Sequence, residues 1–189
     1  MPLPDENIKY NTEEDYYALS EEERVELICG KFYAMASPGQ LHQEISGRVF
    51  RNIGDYIDDK GGECKVFQAP FDVKLEDKRD TIVQPDISVI CDRDKLDGRR
   101  CNGAPDWVIE IVSPSTASHD YVRKYDLYKR TGVREYWIIN PDDKSVVVHR
   151  FDGNSTITEE HTLDDIVKAG IYDDLTIDFK EIMRRIAAL

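Results

Sequence analysis

The chain has 189 residues, a net charge of -13 and 40% hydrophobic content, with four cysteines and four histidines. That composition excludes global disorder, and no apolar run approaches the roughly 18 residues a bilayer-spanning helix needs. The acidic balance argues against a surface covered in nucleic-acid-binding cations, while leaving room for a local basic rim on an acidic body. Met1-Pro2-Leu3-Pro4-Asp5-Glu6 lacks the basic start and apolar core of a signal peptide, so a cytoplasmic protein is expected. Cys29, Cys64, Cys91 and Cys101 form no Cys-x-x-Cys pair. Neither a structural zinc site nor, in a reducing compartment, a disulfide is expected, and the four read as small buried hydrophobes.

Thr12 reads as a helix N-cap before Glu13-Glu14-Asp15, and Ser20-Glu21-Glu22-Glu23 repeats the signal. Val25 to Met35 reads as a hairpin turning at Gly30, broken by Ser37-Pro38-Gly39. Leu41, Ile45, Val49, Ile53 and Ile57 recur at steps of four, predicting a helix over Gln40 to Ile57 that ends at Gly61-Gly62. Short strands follow over Lys65 to Gln68, Phe71 to Leu75 and Ile82 to Cys91. Asp92 to Gly103 is a charged loop holding Arg99 and Arg100.

The central element is Trp107-Val108-Ile109-Glu110-Ile111-Val112, a strand apolar on both sides and closed by Ser113-Pro114-Ser115. Strand alternation puts Trp107, Ile109 and Ile111 on one face and Val108, Glu110 and Val112 on the other. A helix is predicted from about Ala117 to Thr131 with Gly132 at its end. A strand over Arg134 to Asn140, a turn at Pro141-Asp142-Asp143, and strands over Ser145 to Phe151 and Thr156 to His161 come next. The tail, Leu163 to Val167 and Phe179 to Leu189, reads as helical. The whole is expected to be one α/β domain, a mixed β-sheet flanked by helices: residues 1–24 a helical extension, 25–151 the core, 152–189 a C-terminal strand and helices.

Burying the ionised Glu110 alone costs several kcal/mol, so a partner is required. A second acid, Asp86, follows Pro85 in the next apolar run, at the start of a strand or at a bulge. Two acids on neighbouring strands repel unless they share a proton or a divalent cation, and Mg²⁺ takes one or two carboxylates with water and phosphate. The bland alternative is a turn-capping Asp86 and a Glu110 paired with a buried Lys or Arg. Tyr121, Lys124, Tyr125 and Tyr128 fall at helix spacing, which lets Lys124 reach the carboxyl end of the strand. Alternatively Lys124 is a surface residue paired weakly with Asp120, whose loss would barely affect folding.

Pro85-Asp86, Glu110-Ile111-Val112-Ser113-Pro114-Ser115, Lys124 and Gly132-Val133-Arg134-Glu135-Tyr136-Trp137-Ile138-Ile139-Asn140-Pro141, in this order and spacing, resemble the restriction-endonuclease-like PD-(D/E)xK superfamily. The resemblance is to its bacterial, largely cyanobacterial, group of restriction-endonuclease homologues, and runs from about Glu26 to about Phe151. It implies a metal-dependent endonuclease cutting nucleic-acid phosphodiesters, DNA in preference to RNA, with Asp86 and Glu110 holding Mg²⁺ or Mn²⁺. Glu26 would complete the site and His42 would contact metal or water. The superfamily lysine normally stands where this chain has Val112; in the resembling group a helix lysine, here Lys124, takes its place.

Two other classes fit the same residues. One is a catalytically idle interaction module that keeps the fold. The other is a small-molecule phosphoesterase whose pocket Trp137 and the Arg99-Arg100 loop would close. A homodimer is expected from aromatics such as Tyr136-Trp137 on edge elements and from the two-fold symmetry of duplex cutting.

Overall fold

The computed structural model describes residues 9–20, 22–112, 119–153 and 155–188. The expected helix start near Ala117 and the Asp120 and Tyr121 side chains lie outside the described residues.

Helix α1 (Glu13–Tyr17) has Thr12 as its N-cap, with Asp15 completing a reciprocal capping box. The Ser20 signal starts no helix: the described residues from Ser20 lead through a turn directly into β1 (Val25–Ile28). There Ser20 and Glu23 bond to each other, so the cap chemistry closes a turn instead. The hairpin to β2 (Lys31–Ala34) turns at Cys29-Gly30, both with positive φ, the requirement of a two-residue turn matching strand twist.

Helix α2 (Gln40–Asp59) buries Ile45, Val49, Ile53 and Ile57, while Leu41 at its start is exposed. Each buried aliphatic contributes about 1.5–3 kcal/mol. Strands β3 (Lys65–Gln68), β4 (Val73–Lys74), β5 (Ile82–Val83), β6 (Ile87–Ile90), β7 (Cys101–Asn102) and β8 (Trp107–Ile111) follow. A π-helical segment, His119–Lys124, runs into α3 (Tyr125–Thr131), so the predicted single α-helix is wide in its first turn. Gly132 ends α3 in the left-handed conformation. Then come β9 (Glu135–Asn140), β10 (Ser145–Asp152) and β11 (Ser155–Thr162).

The tail departs from expectation. Residues 163–167 are not helical: Thr162 and Asp165 close a turn, and β12 (Ile166–Lys168) pairs with β13 (Thr176–Asp178) before α4 (Phe179–Ala187). The Leu163 and Val167 side chains are buried as a helical face would have them, but on a turn and a ribbon.

Two sheets carry the fold, in orders β2-β1-β5-β4-β7 and β11-β10-β9-β8-β6-β3, with the β12-β13 ribbon beside them. The expected strand from Ile82 to Cys91 is split between them, β5 in the first and β6 in the second. Gln84-Pro85-Asp86 makes the crossing, because Pro85 has no N–H to give a ladder. β8 is covered on both faces. Trp107, Ile109 and Ile111 pack with α2, α4 and Trp137, while Val108 and Val112 pack with Leu127 and Tyr128 of α3.

Cys64 and Cys91 are joined by a disulfide, contrary to the reduced-thiol expectation. They extend the β3–β6 register one step beyond the Lys65–Ile90 pair, which brings them together. Cys29 and Cys101 are free.

Candidate active site

At the crossing between the sheets, three charged side chains meet inside the protein. Glu26 on β1, Glu110 on β8 and Lys124 at the end of the π segment are 3%, 5% and 4% exposed. Lys124 Nζ lies 2.7 Å from Glu110 Oε1 and 3.0 Å from Glu26 Oε1. Tyr128, one turn along α3, donates its hydroxyl to the same Glu110 oxygen at 2.8 Å. The Gln84 backbone N–H donates to Glu26 Oε1 at 3.1 Å, so the crossing loop fixes that acid. Lys124 is therefore neither a surface residue nor part of a weak exposed pair. A π turn ends where it enters, a feature frequent at functional sites.

Asp86 precedes β6 one step beyond the Ile87–Ile109 pair, which sets it beside Glu110. Its Oδ2 accepts the Ile111 N–H at 2.7 Å and faces His42 Nε2 at 3.0 Å. Neither bond nor ion pair engages its Oδ1 among the described residues. His42 reaches from the first turn of α2 to hold Asp86. Its Nδ1 is buried and has no hydrogen-bond partner among the described residues.

All five predicted side chains line one cavity of about 550 Å³. Arg24, Tyr33, Met35, Pro38 and Pro70 contribute to its walls. Among the described residues Lys124 faces Glu26 and Glu110, and Asp86 is held by His42 and the Ile111 N–H.

Tyr128 and Gln84 were not anticipated as site residues. Tyr128 stood at i+4 from Lys124, the spacing that puts both on one helix face; Gln84 acts through its main chain, which side-chain chemistry cannot reveal. A longer network supports the crossing loop: the Gln84 amide donates to Tyr16 and Asp72, and burial, with Asp72 beside it, pushes the Tyr16 phenol well up.

The residues expected to close a phosphoesterase pocket lie elsewhere. Trp137 is fully buried, with its N–H on Glu135. Arg100 pairs with Glu13 of α1, and Arg99 lies over Tyr17. Neither lines the cavity.

The chain has a mixed α/β fold, its sheets flanked by helices, of the restriction-endonuclease-like class. Its fold matches the crystal structure of a putative nuclease belonging to DUF820 from Anabaena variabilis ATCC 29413, with a TM-score of 0.74 over 92% of this chain and 97% of that one, at 23% identity. Residues 13–177 match the Uma2 family, described as "Putative restriction endonuclease", and the chain belongs to it. It is also 27% identical over 128 residues to the uncharacterized protein slr1290 of Synechocystis sp. (strain ATCC 27184 / PCC 6803 / Kazusa). That match covers 67% of this chain and 66% of the relative, just under two thirds of its length.

Proposed function

We propose that the cavity hydrolyses nucleic-acid phosphodiester bonds with a divalent cation, Mg²⁺ or Mn²⁺, and that DNA is preferred to RNA. The observation that carries this is the meeting of Glu26, Asp86, Glu110 and Lys124 in one cavity. The donor set fits such an ion. Asp86 and Glu110 are adjacent across a strand pair, and among the described residues one Asp86 oxygen has no protein partner. Among the described residues no group of three or more His, Cys, Asp or Glu is placed to hold a metal. Mg²⁺ takes one or two carboxylates and keeps several waters, which is what Asp86 and Glu110 would offer.

Asp86 and Glu110 would hold the ion, which supplies an activated water and offsets charge on the scissile phosphate. The chain's own groups do the rest. The Ile111 N–H and His42 fix Asp86; Tyr128 fixes Glu110. Lys124 Nζ, held between two carboxylates, is placed to donate to the attacking water or to a phosphate oxygen. Glu26 pairs with that ammonium and aims it. A two-fold homodimer would suit cutting of both strands of a duplex. Of the aromatics behind that expectation, Tyr136 and Trp137 are buried in β9.

Calorimetric titration of Mn²⁺ into wild type, Asp86→Asn and Glu110→Ala tests the reading. Binding in wild type that is lost in both variants is expected. A wild type that binds no Mn²⁺ and cuts no nucleic acid would replace it with an idle interaction module on the same fold.

A further inference from the structure

We propose that the cavity takes an unpaired nucleic-acid strand, not intact duplex, and that stacked Tyr33 and Arg123 at its mouth form the platform for a base beside the scissile phosphate. This rests on the hydrolase reading above and names its substrate class.

Tyr33 sits directly opposite Glu26 in the β1–β2 register, so the two side chains share one hairpin face. Both line the cavity. Arg123 is the residue before Lys124: where Lys124 turns in to the acids, Arg123 stays exposed and lays its guanidinium carbon 4.1 Å from the Tyr33 ring centroid. A guanidinium stacked on an aromatic ring offers a planar face for a base and an N–H edge for a phosphate. Met35, Pro38 and Pro70 add apolar lining.

Size and charge both favour a single strand. A cavity of about 550 Å³ has the capacity of an ordinary small-ligand site, enough for a unit or two of a strand. Glu26, Glu110 and Lys124 lie on its floor, at most 5% exposed. A duplex gains affinity by laying many phosphates along a basic surface, and this chain carries a net -13. Arg24 lines the cavity and Arg123 lies over its Tyr33, two cations that suit contact with about two phosphates.

Fluorescence anisotropy in Ca²⁺, with a labelled oligodeoxythymidine and a duplex of equal length, tests the proposal. The unpaired strand should bind more tightly than the duplex, with a log–log salt slope of about -1.4 for two phosphates. Tyr33→Leu should weaken that binding roughly 5- to 100-fold and Tyr33→Phe should restore it. Arg123→Ala should flatten the slope by about 0.7. Should Tyr33→Leu fail to fold, the exposed Arg123 variant carries the test alone. Duplex binding as tight as the unpaired strand, binding to neither, or wild-type affinity and slope in the variants would each overturn it. The Mn²⁺ titration reports separately on the hydrolase reading.

Discussion

Replacing Lys124 by Ala removes the cation from between two buried carboxylates. Glu26 Oε1 and Glu110 Oε1 both lie within 3.0 Å of its ammonium, and all three residues are at least 95% buried. Breaking a buried ion pair from one side typically costs about 3–5 kcal/mol, because the partner charge stays behind without compensation. For a chain of this size each kcal/mol moves the melting temperature by about 2–4 °C, so a fall of roughly 6–20 °C is expected in metal-free buffer. That is a structural correction to the sequence reading, in which a helix-face Lys124→Ala leaves folding almost unchanged. Glu110→Gln should cost less, since Lys124 keeps Glu26 and the amide oxygen can still accept from Tyr128. Mn²⁺ should recover more of the melting temperature in Lys124→Ala than in wild type, because the cation replaces the missing positive charge. Differential scanning fluorimetry with and without Mn²⁺, with Lys129→Ala in the last turn of α3 as control, reads all of these. A Lys124→Ala shift no larger than that of Lys129→Ala would refute the buried-triad reasoning.

Asp77 accepts two bonds from Arg130 and one from the Cys29 thiol, and Arg130 chiefly holds its carboxyl well below the usual range. A folded pKa below the unfolded one gives stability that is present above the unfolded value and lost as pH falls through the folded value. Wild type should therefore lose stability below about pH 4, and Asp77→Asn should flatten that loss in acid-range melts while costing about 1.5–3 kcal/mol at neutral pH. Glu135 is buried, which raises its carboxyl above the usual range, yet it accepts from Trp137 and from the Gly170 and Ile171 N–H groups. Glu135→Ala should cost about 3–5 kcal/mol in urea unfolding; a loss under about 1 kcal/mol would contradict this network. The Cys64–Cys91 disulfide closes a separation of 27 residues, worth about 3–4 kcal/mol. Thiol counting on the denatured, unreduced protein should give two, and reduction should lower the urea midpoint.

Periodicity made the frame readable where one face is buried against one partner. The four-step apolar pattern of α2, the Gly30 turn and the alternation around Glu110 each state a local rule that packing does not override. It misled in the tail, where Leu163 and Val167 had helical spacing but Thr162 and Asp165 closed a turn between them. The site acids were legible because a carboxylate in an apolar strand is costly without cause. Their partners were less so. The Lys124 contacts join β1, β8 and the π segment, and Gln84 contributes a backbone N–H, both consequences of how the sheets cross. The Cys64–Cys91 bond was hidden for a related reason: pairing follows from the β3–β6 register, while cysteine spacing and compartment spoke against it.

The most direct test of the account is cleavage of circular single-stranded DNA and supercoiled plasmid by wild type and Glu110→Gln, with Mn²⁺ and with chelator. The account predicts that wild type cuts only with the metal. It also predicts that Glu110→Gln, shown to be folded by its melting curve, is slower by about 10²- to 10⁴-fold. Cutting that survives the chelator, or a Glu110→Gln protein as fast as wild type, would contradict it.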